Sequence, residues 1–267
     1  MKLRTSVKNW RLCAVVAAVL WAALPSLSVA QDWKATASAT YETGKYGTDT
    51  RTTTYYFPLS LKRYLGVGDV SIVVPYIVQE STGQISTIEG RPIKLRKAAS
   101  AGTSTNSGIG DVVLKGTYYL ATEGKGTPFN LSLDGKIKVP TADDTEGLGT
   151  GEFDEGVGLE FDMGLRESYR LFADVSYTFI GKPAGTDLQD KAAFDVGVSK
   201  ELNQKATLSV FYEESTPPVS GDEDARDVAV NAEFKVDKNV RFFVGGAVGL
   251  TNTAPELSAT VGASMRF

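Results

Sequence analysis

The sequence predicts an all-β protein, an antiparallel transmembrane β-barrel of about twelve strands with short turns at one end and longer loops at the other. Three observations predict it. Short segments alternate between apolar and polar residues, the connections alternate between short and long, and the chain ends on such a segment. In residues 257–267 the odd positions are apolar, so the final residue, Phe267, lies on the apolar face. This ending is common in outer-membrane barrels and rare in soluble proteins.

Residues 1–30 are predicted to be a secretory signal peptide, and residues 31–267 the barrel. The apolar stretch 12–24 is too short for a comfortable transmembrane helix, and it follows the basic residues Lys2, Arg4, Lys8 and Arg11. Ser28-Val29-Ala30 fits the cleavage rule, so the mature chain begins at Gln31; an uncleaved anchor is the alternative. The single cysteine, Cys13, lies within the signal, which leaves the mature chain without a thiol.

The alternating segments give the predicted strands in order. Their apolar positions span 33–41, 55–61, 70–78, 112–120, 129–139, 153–163, 171–179, 192–198, 206–212, 228–236, 240–250 and 257–267. Long connections follow the first, third, fifth, seventh and ninth strands, and short turns lie between them; the last connection on the long side, 252–255, is short. Outer-membrane barrels have short periplasmic turns and longer outside loops, so both chain ends are expected in the periplasm.

Aromatic residues with outward parity fall at two depths, as in the girdles of membrane barrels. The outer group is Tyr41, Tyr55, Phe57, Tyr76, Phe153, Tyr177, Phe179 and Tyr212, and the inner group is Trp33, Tyr118, Phe129, Tyr169, Phe234, Phe242 and Phe267. Two prolines, Pro58 and Pro75, lie inside predicted strands although a closed barrel has no free edge. A bulge or strand break near each is expected, in preference to a lateral opening.

Charged residues collect on the opposite parity and are the candidate lumen-lining residues. They are Lys62, Asp111, Lys115, Asp134, Lys136, Lys138, Glu160, Asp162, Asp174, Asp195, Glu213, Asp227, Glu233, Lys235, Arg241 and Arg266. A shift of one residue in the strand register would point these side chains towards lipid. Each lysine or arginine at the midplane would then cost about 2–4 kcal/mol. The exceptions, Glu80, Glu155 and Lys200, lie near strand ends, where this cost is small.

Several kinds of chemistry are absent from the sequence. The chain has no histidine, so neither a Ser-His hydrolase nor an Asp-His protease can be built, and with no cysteine in the mature chain zinc sites of the usual kind are excluded. We therefore expect no enzymatic activity, no cofactor and no metal. An acidic loop, formed by Asp143, Asp144, Glu146, Glu152, Asp154 and Glu155, leaves calcium binding as an alternative to a solvated loop.

The longest connection, residues 81–108, carries Arg91, Lys94, Arg96 and Lys97 before a tail rich in Ser, Thr, Gly and Ala. Three interpretations remain open for this segment: contact with anionic lipopolysaccharide at the outer rim, a loop folded into the mouth that narrows the pore, or a mobile solvated loop. The net charge of −4 argues against nucleic acid as a partner.

Residues 108–120 (GIGDVVLKGTYYL), 133–143 (LDGKIKVPTAD) and 147–151 (GLGTG) resemble the outer-membrane channels of the phenol meta-degradation pathway family. The Gly-x-Gly-Asp opening of a strand, the strand ending in Pro-Thr and the Gly-Thr-Gly loop carry the resemblance. The chain departs from the family at Ala142, where a glycine is frequent. The resemblance implies a barrel in the outer membrane and uptake of small, often apolar or aromatic compounds.

The sequence thus favours a passive channel of the cell outer membrane with a small, weakly selective conductance, because lysines and carboxylates are interleaved along the lumen. The expected partners are outer-membrane lipid and lipopolysaccharide, a small solute, and the barrel-assembly machinery, which would engage the last strand at Phe267. Two alternatives remain open: a structural barrel plugged by its own side chains, and a soluble secreted β-sandwich.

Overall fold

The computed structural model describes residues 32–81, 85–88, 91–94, 103–166 and 168–267. Its elements are all strands: β1 (Trp33–Gly44), β2 (Thr52–Leu65), β3 (Gly68–Ser81), β4 (Ile85–Ile88), β5 (Arg91–Lys94), β6 (Ser104–Ile109), β7 (Val112–Ala121), β8 (Phe129–Val139), β9 (Asp154–Gly164), β10 (Tyr169–Phe179), β11 (Lys191–Asn203), β12 (Ala206–Ser215), β13 (Ala225–Lys235), β14 (Val240–Gly249) and β15 (Leu257–Arg266). The predicted signal peptide and its cleavage site lie outside the described residues.

All strands except β4 and β5 form one closed antiparallel barrel. Successive strands of the wall pair with each other, and β1 closes the sheet against β15 through a ladder from Lys34↔Arg266 to Thr43↔Leu257. Trp33 and Phe267 complete the closure by exchanging backbone hydrogen bonds of 3.0 and 2.9 Å. β6 and β7 are successive segments that both pair with β3, so together they count as one strand of the wall. The prediction of a twelve-stranded transmembrane barrel is confirmed.

The two in-strand prolines face each other across the β2–β3 ladder, as the pair Pro58↔Pro75. Neither has an N–H, so each leaves a break on its other side. The β1–β2 ladder is interrupted opposite Pro58, between Ala37↔Leu59 and Thr40↔Tyr56. Beyond Pro75, the partner of β3 changes from β6 to β7 with a shift of one residue, and the Gly110 N–H donates to the Pro75 carbonyl at 2.9 Å. The structure therefore places a strand break beside each proline, and β2–β3 pairing stays continuous.

The outer wall is an apolar band, because residues of outward parity remain exposed in every long strand. Val261 is 58% exposed, Val175 54% and Val210 45%, values that are tolerated at mid-wall only in contact with lipid. Aromatic rings pair at the predicted outer rim, with centroid distances of 5.4 Å for Tyr41 and Tyr55 and 5.0 Å for Tyr177 and Phe179.

Three short strands were not predicted. β6 reads STNSGI, and its outward residues Thr105 and Ser107 are polar because the segment rises towards the outer rim, so it lacks apolar alternation. β4 and β5 form a separate two-stranded hairpin within the longest loop. Of the residues that the structure describes, none belongs to a helix that is both long enough and apolar enough to cross a membrane.

Candidate functional site

Inward-facing side chains of seven neighbouring strands, β2 to β11, surround a cavity of about 560 Å³ inside the barrel. Eight of the lining residues are charged: Lys62, Asp69, Lys115, Asp134, Lys136, Glu160, Asp174 and Asp195. Lys62 Nζ lies 2.8 Å from Asp69 Oδ1, and the Tyr119 hydroxyl donates to the other oxygen of that carboxylate at 2.7 Å. Like charges are nevertheless neighbours in this wall, and not interleaved as expected. Lys115 and Lys136 face each other across β7 and β8, and Glu160, Asp174 and Asp195 form a row across β9, β10 and β11.

A second charged group lies at the end of the barrel that carries the short turns. Arg241 Nη1 contacts Glu233 Oε1 at 2.7 Å, and both line a cavity of about 340 Å³ together with Lys235. Asp162 accepts from Arg170, whose other nitrogen lies 2.5 Å from Glu123. The Arg266 guanidinium lies over the Tyr64 ring at 4.3 Å. Five of the predicted lumen residues therefore cluster at the periplasmic mouth, namely Asp162, Glu233, Lys235, Arg241 and Arg266.

A third group lies towards the end with the long loops. Glu213 and Asp227 line a cavity of about 280 Å³ with Glu42 and Arg91, and Arg91 Nη2 lies 3.1 Å from Glu213 Oε2. Arg91 belongs to β5, so a residue from the longest loop reaches the inner wall. Because Arg91 lies against the inner wall, the structure does not support the interpretation in which this residue contacts lipopolysaccharide. Arg96 and Lys97 lie outside the described residues.

The β4–β5 hairpin occupies the outer mouth. The Ser86 hydroxyl donates to the Gly149 carbonyl and the Thr87 hydroxyl to the Leu148 carbonyl, both at 2.7 Å. Ile88 and Ile93 of the hairpin pack with three apolar residues of neighbouring loops, Ile180, Leu188 and Val219. The hairpin is therefore held by both polar and apolar contacts with other loops, in agreement with the interpretation of a loop folded into the mouth.

Lys138 and Asp111 depart from the predicted arrangement. Both have inward parity, but Lys138 is fully buried and Asp111 nearly so, which means that neither lines an open lumen. Lys138 Nζ lies 2.8 Å from Asp111 and 3.2 Å from Asp154, and it donates to the Thr150 hydroxyl at 2.9 Å. The reason is the loop 140–153, which folds over this part of the wall and encloses the ammonium group.

The same network anchors that loop to the break between β6 and β7. Asp111 Oδ1 accepts from the backbone N–H groups of Thr141 and Ala142 at 3.1 and 3.0 Å. Asp154 Oδ1 accepts from Gly181 at 2.9 Å. Among the described residues, no three acidic side chains converge in a way that could hold a metal ion, so the acidic loop offers no built calcium site.

Sequence reasoning missed several interior charges, namely Lys34, Glu42, Asp69, Asp154 and Arg170. All five follow the inward parity of their strands, so the signal was present, but they lie near strand ends, where the alternation carries least weight. Arg91 had no such signal, because its position depends on how a long loop folds. The outward exceptions behave as expected: Lys200, at the periplasmic end of β11, lies over the Tyr169 ring at 4.9 Å.

The closed barrel, its apolar exterior and its charged interior can be compared with known families. The model of the family described as "Putative MetA-pathway of phenol degradation" matches residues 28–267. The chain belongs to this family. No curated protein matches the chain in sequence. The family resemblance stated from the sequence motifs is confirmed.

Solved structures share the fold. The COG4313 outer membrane channel from Pseudomonas putida F1 has a TM-score of 0.66 at 12% identity, over 91% of this chain and 97% of that chain. The NanC porin has a TM-score of 0.53 at 9% identity, over 87% of this chain and all of that chain, and the KdgM porin 0.52 at 9%, over 88% and 99%. A closed barrel of this fold with a lipid-facing band is an outer-membrane barrel, as predicted, and these neighbours are channels and porins rather than enzymes.

Proposed function

We propose that this protein is a passive channel through which small molecules, including apolar and aromatic compounds, cross the outer membrane. One observation carries the proposal: inside a membrane barrel, ionised side chains surround a cavity of about 560 Å³ instead of an apolar packed core. A barrel that served only as an anchor would gain more stability from a filled interior. Membership in a family described by phenol degradation supports aromatic compounds among the solutes.

The mixed charge of the interior sets the expected selectivity. Three lysines and five carboxylates line the cavity, and the pair formed by Lys62 and Asp69 is neutral. Such a lumen attracts neither sign strongly, so both ions and neutral solutes would pass with weak discrimination. We expect an ohmic conductance that is small compared with that of a general porin.

A plugged barrel without transport is the second candidate. The hairpin in the outer mouth favours it, because Arg91 joins the loop to the inner wall beside Glu213. The two candidates predict different effects of removing the hairpin. A plugged barrel would be silent until the hairpin is deleted, whereas a channel would conduct with the hairpin in place.

Planar-bilayer recording of the purified protein tests the proposal. We expect discrete conductance steps that scale linearly with voltage, and a larger step when residues 85–94 are deleted. Heat-modifiable gel migration is the control, because it reports whether the wild-type protein and the deletion variant are folded. Absence of conductance at every salt concentration, in protein shown to be folded, would overturn the proposal.

The proposed partners follow from the same geometry. The outward band would contact outer-membrane lipid, and basic residues of the outer loops would contact lipopolysaccharide. The barrel-assembly machinery would recognise β15, which ends at Phe267 and closes the barrel against β1. Deleting Phe267 should reduce the amount of folded barrel in the outer membrane. The outer loops keep their full sequence in this variant.

A further inference from the structure

The cavity of about 340 Å³ at the periplasmic mouth combines an aromatic wall with charged and hydroxyl groups. Its lining includes Phe172 on one side and Lys235, Arg241 and Glu233 on the other, with Ser199 and Thr207 between. Its volume lies at the lower end of the range for small-molecule pockets, about 300–1,000 Å³. It differs from the larger cavity because an inward-facing phenylalanine forms part of the wall.

The aromatic wall of the cavity depends on Gly197, which leaves room for two phenylalanine rings. Phe172 on β10 and Phe211 on β12 are both register partners of Gly197 on β11, so the three residues form one row across the inner surface. The two rings meet above Gly197 with a centroid distance of 5.7 Å and an interplanar angle of 48°. A Cβ at Gly197 would lie 2.2 Å from the Phe211 ring. The glycine therefore allows two strands that are not adjacent to present one continuous apolar surface.

On the charged side, Lys235 makes no ion pair with the residues that the structure describes. Arg241 is paired with Glu233 at 2.7 Å, and Arg170 with Asp162 and Glu123. Lys235 is the register partner of Arg241, so two cations stand side by side on β13 and β14. Among the described residues, no carboxylate lies within ion-pair distance of Lys235. Neighbouring cations repel each other across a ladder, and an anion placed between them would remove this repulsion.

We propose that this cavity binds a small aromatic carboxylate, with its ring against Phe172 and its carboxylate on Lys235. The ring gains contact with an apolar surface and the carboxylate gains a charge-assisted hydrogen bond. The hydroxyls of Ser199 and Thr207 line the same cavity and can donate to a carboxylate oxygen. The inference rests on the proposed function for the route by which such a solute reaches the mouth, but the site itself is independent of conduction.

Calorimetric titration of the detergent-solubilised barrel with benzoate tests the site. Benzamide keeps the ring without the charge, and acetate keeps the charge without the ring. Wild-type protein should bind benzoate with a dissociation constant at least about tenfold lower than that for benzamide or for acetate. Lys235→Gln should remove the preference for benzoate over benzamide, and Phe172→Leu should remove the preference for benzoate over acetate.

Matched controls lie close by. Lys205→Gln removes one exposed lysine from the adjacent turn, and Phe234→Leu shortens an aromatic residue on the lipid face of β13; neither should change the titrations. Benzoate that binds no better than both analogues would overturn the inference, as would a benzoate preference that persists in Lys235→Gln. A barrel that conducts but binds no benzoate would contradict the site and leave the channel standing. A barrel that binds benzoate but never conducts would contradict the channel and leave the site standing.

Discussion

The Arg91 guanidinium lies 3.1 Å from the Glu213 carboxylate, and this contact joins the hairpin in the outer mouth to the inner wall of the barrel. Both side chains are partly exposed, 44% and 28%, so the pair contributes modestly, about 0.2–1 kcal/mol. Its position rather than its strength makes it important, because the polar anchors Ser86 and Thr87 hold the hairpin to a different loop.

Arg91→Gln should therefore loosen the hairpin without unfolding the barrel. A loss of up to about 1 kcal/mol corresponds to a shift of up to about fivefold in the equilibrium between seated and released hairpin. Single-channel recording should show a larger mean conductance, and Glu213→Gln should have a similar effect. The matched control is Arg51→Gln, which removes an ion pair of the outer loops, with Glu256 at 2.5 Å. Equal behaviour of Arg51→Gln and Arg91→Gln would contradict this role.

Lys138→Met should destabilise the barrel strongly. Asp111 and Asp154 would remain buried without the ammonium that lies 2.8 and 3.2 Å away, and a buried pair broken in this way costs about 3–5 kcal/mol. Denaturant unfolding of the protein in detergent or lipid vesicles measures the free energy. Lys136→Met, two residues away on the same strand and lining the open cavity, is the control and should have a much smaller effect. Similar losses for both variants would show that enclosure of Lys138 is unimportant.

Gly262→Ala should also destabilise the protein, because an added Cβ would lie 2.2 Å from the Phe243 ring and 2.8 Å from the Ser38 Cβ. Overpacking of this kind costs about 1–3 kcal/mol. Gly116→Ala provides the comparison, since Gly116 faces outwards with no atom within 4 Å of the added carbon. Unfolding measurements should rank Gly262→Ala below wild type and Gly116→Ala close to it; the opposite ranking would contradict the inward orientation of Gly262.

The strands and the direction of their side chains could be predicted from sequence, because a lipid exterior forces alternation on every long strand. The identity of the enclosed residues could not. Lys136 and Lys138 have the same parity and the same chemistry, yet one lines a cavity and the other is buried under the loop 140–153. Parity determines the face on which a side chain lies but carries no information about which loop covers it.

The small cavity illustrates the same limit. Lys235 and Arg241 were expected in the lumen, but the row formed by Phe172, Gly197 and Phe211 depends on register across three strands. A single strand gives no sign of that row, because Phe172 lies on the polar face of its own strand. Likewise, the position of Arg91 follows from contacts made by a hairpin with distant loops.

The direction in which side chains point is tested most directly by cysteine labelling, which is clean because the mature chain as predicted has no cysteine. Ser132→Cys and Thr260→Cys place thiols on cavity-lining positions, and Leu133→Cys and Val261→Cys place them on the adjacent, outward positions. In the membrane, a charged, water-soluble maleimide should modify the first two variants and leave the other two unmodified. Modification of Leu133→Cys and Val261→Cys, with Ser132→Cys and Thr260→Cys protected, would contradict the barrel's proposed inside and outside.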